Sequence, residues 1–142
     1  MQAEDYASVD RAESTLREQG WTARLTLNGA FASWKQFIDD VAEGYDWAID
    51  EYTNDLHVRD WLDQAWPLLS DRVRQSRASE LAALDELWRE ATLEDDGALV
   101  GRFFRIDERS GWWWRRRPRL IVGEFAKTVD ESPYGRADGR SS

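Results

Sequence analysis

Phe31, Trp34, Ile38, Val41, Tyr45, Ile49, Tyr52 and Leu56 recur at steps of three and four, the spacing of one helix face. At roughly 100° per residue they fall within an arc of about 80°. The pattern passes Gly44 without losing phase. It therefore predicts one helix over residues 30–56, with Gly44 a weak point costing about 1 kcal/mol relative to alanine. A break at Gly44 that resets the register is the alternative. Ser33 and Gln36 have the spacing of a capping box at the start of this helix.

The flanking segments are less regular. Residues 3–19 have helical composition but few apolar positions (Tyr6, Val9, Leu16), so a helix there packs weakly. Gly20 ends it, WTARLTL (21–27) alternates like a short strand, and Asn28-Gly29 signals a turn. A second helix starts near Asp55, with Val58, Trp61, Leu62, Ala65 and Trp66 as its stripe, and Pro67 ends or kinks it. Leu68, Leu69 and Val73 continue the pattern to Ser76. Ala78 to Thr92 reads as a further helix, with Leu81, Leu84, Leu87, Trp88 and Ala91 on its apolar side.

Beyond the loop Asp95-Asp96-Gly97, residues 98–106 have strand composition and 112–117 are their natural hairpin partner. Residues 120–129 fit a strand or a helix. The fold class expected is mainly α, or α+β: a bundle of about four helices with a small β-hairpin near the C-terminus. Residues 1–130 read as a single globular domain and 131–142 as a disordered tail.

Composition narrows the options. No apolar run approaches the roughly 20 residues of a membrane span, and the polar, acidic start of the chain is unlike a secretory signal. There is no cysteine, which removes disulfides, thiolate metal sites and thiol catalysis and fits a cytoplasmic protein. Arginine outnumbers lysine 17 to 2, the codon bias of a GC-rich bacterial genome. Nine tryptophans in 142 residues put a large aromatic area into the core.

Charge is unevenly spread. Residues 1–97 carry 22 acidic and 9 basic groups, residues 98–142 carry 6 and 10, and the net charge is −9. The acid peaks over 36–63, where nine carboxylates face Arg59 alone. On the helix wheel Asp39, Glu43, Asp46 and Asp50 form a ridge away from the apolar arc, with Asp40 and Glu51 to one side. Four like charges at this spacing repel by a few tenths of a kcal/mol per close pair, a cost that an ordinary solvated face avoids by mixing signs. Trp47 falls among them. An aromatic ring amid carboxylates has the composition of a partner-binding centre with a steering rim. Asp39, Asp40, Glu43, Asp46, Trp47 and Asp50 are therefore the candidate partner-binding residues. The plainer alternative is that the ridge pairs with this chain's own Arg115–Arg117.

The string GWWWRRRPRL (111–120) sets aromatic rings beside arginines, as a single-strand nucleic-acid binder does. The acidity of the preceding 97 residues opposes phosphate approach, which argues against nucleic acid. The string reads better as a strand that inserts tryptophans and staples the acidic helices. His57 is the only histidine. Glu51, Asp55, His57, Asp60 and the adjacent Arg59 can be drawn as an enzyme or metal corner, yet zinc and di-iron sites draw on several histidines or thiolates. No phosphate loop, dinucleotide fingerprint or nucleophile elbow is present.

The sequence thus points to a small acidic protein-binding module acting on a basic partner, in the manner of an immunity protein, antitoxin or nuclease inhibitor. The expectation for such a module is no catalytic residues, no metal, no cofactor and no membrane association. A non-catalytic structural or regulatory accessory domain is the alternative, and an enzyme or metal site around His57 is the third.

Overall fold

The computed structural model describes residues 2–21 and 25–131, and Gly44 decides how the central part of that chain is organised. Its φ of +111° lies where side-chain-bearing residues are rarely found. Helix α2 (Leu27–Gly44) stops there, Tyr45 is extended, and helix α3 (Ile49–Ala65) begins four residues later. The single helix expected over 30–56 is thus two helices that pack directly on each other. The apolar phase nevertheless predicts burial correctly: Phe31, Trp34, Ile38, Val41, Tyr45, Ile49, Tyr52 and Leu56 are all buried. Both helices turn their apolar faces to one core, so the period survives a break in the backbone.

Other boundaries shift for equally local reasons. Thr26, not Ser33, caps α2, its hydroxyl accepting the Gly29 N–H at 2.9 Å. Asn28-Gly29 therefore sits in a helical turn rather than in a free one. Of the strand expected over 21–27, residues 22–24 lie outside the described residues; Trp21, Leu25 and Thr26 are not in a strand, and Leu27 is helical. Helix α3 starts before Asp55 because Ala48 initiates it and Asp50 and Glu51 place negative charge in its first turn. Ser70 caps helix α4 (Asp71–Ala91), which runs unbroken through Ser76 and Arg77.

The β element is present near the C-terminus, with other strands than expected. Strand β1 (Thr92–Glu94) pairs antiparallel with β2 (Arg116–Pro118), Thr92 opposite Pro118 and Glu94 opposite Arg116. Residues 98–106 form turns and a 3-10 helix instead of a strand. The Asp95 carboxylate helps hold that segment, accepting the Gly97 and Leu99 N–H groups. Ile121 makes a parallel bridge to Tyr45, and helix α5 (Gly123–Glu131) follows, which decides 120–129 in favour of helix. The tail expected after Glu131 lies outside the described residues.

Helix α1 (Ala3–Glu18) is docked by polar groups as much as by apolar ones. Its buried face is Asp5, Ser8, Ala12 and Leu16. The Asp5 carboxylate accepts the Ser70 hydroxyl at 2.7 Å and the Gln2 N–H at 3.0 Å, and Ser8 Oγ accepts the Ser70 N–H. The Ser70 hydroxyl, then the Gln2 N–H, hold the Asp5 carboxyl below its usual value of 3.8. A depressed carboxyl adds stability that is complete above the unfolded value and is lost as pH falls through the folded one. Acid titration monitored by amide exchange should therefore release α1 before the core. Asp5→Asn should remove that acid limb, and an unchanged limb would contradict the role of Asp5.

Candidate functional site

Each carboxylate of the acidic segment has a distinct local setting. On α2, Asp39 pairs with Lys35 at 2.9 Å and Asp40 accepts Gln36 Nε2 at 2.9 Å. Glu43 lies exposed in the last turn of α2, where the helix dipole is negative and no basic residue compensates. Asp46 lies in the connection between helices, where its carboxylate accepts the Glu124 N–H at 2.6 Å and so caps α5. A side chain at Gly123 (φ +56°) would collide with that carboxylate, which accounts for the glycine. Asp50 is exposed in the first turn of α3. Among the described residues, Glu43 and Asp50 have no side-chain hydrogen bond or ion pair.

Trp47 is 60 % exposed, more than any other large apolar side chain among the described residues. The break at Gly44 is the cause: Tyr45 turns inward and the connection carries Trp47 outward. The six residues are thus not a ridge on one helix. They are two short acidic steps, at the end of α2 and the start of α3, joined by a connection bearing an exposed indole.

Of the three arginines expected to neutralise this surface, Arg115 and Arg116 are engaged elsewhere. Arg115 bonds the Asp107 carbonyl at 2.7 Å and lies 3.7 Å from Asp96. Arg116 donates to Thr92 Oγ1 and to the Arg89 carbonyl, and Arg119 to the Glu90 carbonyl. Among the described residues, no arginine of 115–119 pairs with Asp39 to Asp50. The staple runs through the indoles instead. Trp113 and Trp114 are both buried, and both donate to Asp60 Oδ1 at 2.8 Å. A strand would send them to opposite faces. The 3-10 turn Trp112–Arg115 lets both point at one carboxylate.

Below them lies a buried ionic centre that sequence reasoning missed. Arg59 and Asp85, 6 % and 8 % exposed, form a two-pronged pair with both contacts at 2.9 Å. Trp34 Nε1 donates to the same carboxylate at 3.1 Å, and the guanidinium lies 4.2 Å from the Trp113 ring centroid. The signal was present in the spacing. Arg59 falls in the stripe Ile49, Tyr52, Leu56, Leu62, and Asp85 in the stripe Leu81, Leu84, Trp88, Ala91. Opposite charges, each on an apolar stripe, are a buried pair in waiting.

The corner drawn around His57 is dispersed. Arg59 turns to Asp85, while Asp55 accepts the Tyr45 hydroxyl at 2.8 Å. Burial pushes the Asp55 carboxyl up; the Tyr45 bond opposes this, and Glu51 and Asp40 add to the rise. Burial, followed by the bond to Asp55, pushes the Tyr45 hydroxyl far above its ordinary value. Among the described residues, no cluster of His, Asp and Glu could hold a metal ion.

His57 instead meets Asp60. Its Nδ1 lies 3.2 Å from Asp60 Oδ2, and its ring abuts Trp21, Phe104 and Trp114 at a cleft of about 180 Å³. Indole N–H groups only donate, so Asp60 is held as an acceptor and His57 Nδ1 must carry the hydrogen. The neutral ring should therefore show the Nδ1–H tautomer in its ¹⁵N spectrum, read cleanly because the chain has one histidine. Asp60→Leu should abolish that preference, and a neutral Nε2–H ring in the unaltered protein would overturn the assignment.

No helix among the described residues is long and apolar enough to cross a membrane. Comparison with known proteins adds no relative from which a role could be carried over: no family model, no curated protein and no solved structure matches this chain.

Proposed function

We propose that the protein is a small acidic binding module whose connection between α2 and α3, with its flanking carboxylates, receives a basic protein partner. The observation that carries this reading is Trp47, a large apolar ring 60 % exposed between unneutralised acids. Burying such a ring supplies anchoring energy, and the surrounding charge accelerates encounter with a basic surface. Glu43 supports the reading because its position works against the dipole of its own helix and serves no contact among the described residues. With Asp46 capping α5 and Asp39 paired with Lys35, Asp40, Glu43 and Asp50 are the steering charges. An inhibitor or immunity protein for a basic enzyme fits this design, and binding rather than turnover is the proposed activity.

Parallel affinity capture from the source organism tests this, using the unaltered chain and the Trp47→Ala/Glu43→Lys variant as baits. A basic protein retained only by the unaltered bait, and released as salt rises, is the expected result. Equal retention by both baits, or capture of acidic proteins alone, would overturn the reading.

A further inference from the structure

A second feature adjoins the acidic steps. Helices α2 and α4 pack together, and along their outer seam, below the chain at Arg119 and Leu120, lies a groove of about 430 Å³. That volume lies in the range of pockets that take ligands, roughly 300–1,000 Å³. Its floor is apolar: Ile38, Val41, Ala42, Leu87, Ala91 and Leu120. Leu87 and Leu120 are 42 % and 47 % exposed, and Val122, at 40 %, extends the apolar surface beside Gly44. Two leucines so exposed in the lining of one groove are not the scattered single residues of an ordinary surface.

The rim is acidic. Glu90 and Asp39, the latter paired with Lys35 at 2.9 Å, border the floor, and Glu43, unpaired among the described residues, stands one helical turn beyond Asp39 on α2. Arg119, the one basic residue of the lining, is tied by Nε to the Glu90 carbonyl at 2.7 Å. An apolar floor between carboxylates is complementary to one kind of occupant: an amphipathic helix whose apolar face carries anchors at steps of three and four and whose flanks carry lysine or arginine. A third helix packed against α2 and α4 would satisfy the side-chain ridges that both present. A second copy of this chain is disfavoured by its own charge, since the contact would bring two molecules of net charge −9 together at their acidic faces.

We infer that this groove is the seat of a basic amphipathic helix of the partner, continuous through Asp39 and Glu43 with the Trp47 surface. The inference rests on the reading of the protein as a binder of basic partners, and it names what that partner must present. Apolar contacts in the groove set how long the complex lasts, and the carboxylates set how fast it forms.

Three synthetic 18-residue peptides test this by calorimetry and by methyl NMR: an amphipathic leucine–lysine helix, the same pattern with glutamate for lysine, and oligolysine. The leucine–lysine peptide should bind and shift the methyl signals of Ala42, Leu87 and Leu120. Leu87→Glu and Leu120→Glu, both at exposed positions, should each weaken it at least tenfold while leaving the thermal transition in place. Oligolysine should perturb Glu43 and Trp47 without moving the groove methyls, and the leucine–glutamate peptide should not bind.

The groove assignment fails if the leucine–lysine peptide binds no better than oligolysine, or if Leu87→Glu leaves its affinity unchanged. It also fails if the free protein is a dimer that Leu87→Glu dissolves, or if deleting residues 132–142 moves the groove methyls without peptide. Those results would assign the groove to a second copy or to the chain's own C-terminal segment. The underlying reading fails separately, if Glu43→Lys leaves both the oligolysine and the leucine–lysine affinities untouched.

Discussion

Asp85→Ala is expected to destabilise the protein by about 3–5 kcal/mol, the usual cost of removing one partner of a buried ion pair. The reason lies in what would be left behind. Arg59 gives Nε and Nη2 to Asp85, while its Nη1 has no partner among the described residues. Without the carboxylate the guanidinium keeps only the face of Trp113, and the Trp34 N–H loses its acceptor as well. A charge so placed is uncompensated in a medium where its desolvation is not repaid. Against a typical total stability of about 5–15 kcal/mol, this is a large fraction.

The paired replacement Arg59→Met/Asp85→Leu should recover most of that loss, because apolar residues of similar volume replace buried ion pairs at little net cost. Urea unfolding of the three proteins checks both statements. A loss under about 1 kcal/mol for Asp85→Ala, or a double variant no better than the single one, would contradict this account of the core.

This centre also shows what the sequence made legible and what it hid. Apolar spacing located the core well, since every residue of the stripe from Phe31 to Leu56 is buried. It failed on continuity at Gly44, because a period reports which residues face inward and says nothing about whether the backbone between them turns. It failed on Arg59, Asp85 and Asp5 for another reason. All three sit on buried helix faces at helical spacing, but a pattern scored on apolar residues alone passes over a charge that buries with its partner.

The tryptophan string reads as a strand when it is taken as the hairpin partner of residues 98–106, which themselves form no strand. Its true geometry is set by a distant residue, Asp60, which gathers two indole N–H groups and which no local pattern could announce. Of the candidate residues, Trp47 and Glu43 are exposed, an outcome that helical spacing alone could not decide because it depends on the break at Gly44. Asp46 carries a structural duty visible only once α5 is docked.

Trp47→Ala is expected to weaken the proposed complex with a basic partner by at least about 2 kcal/mol, or about thirtyfold in Kd, as for an aromatic anchor at the centre of an interface. The fold should not notice the change. The ring is mostly in solvent, and no ring contact engages it among the described residues, so truncation opens no cavity in the core. Glu43→Lys should act differently, slowing association and flattening its salt dependence, since an exposed rim charge steers more than it holds. The contrast separates an anchor from a steering charge, and both from a general loss of structure.

The decisive measurement is the Kd of the captured basic partner for the unaltered protein and for Trp47→Ala, with thermal unfolding of both run alongside. A Kd raised at least about thirtyfold at an unchanged unfolding temperature is what the exposed connection between α2 and α3 predicts. Equal affinity of the two proteins would contradict it.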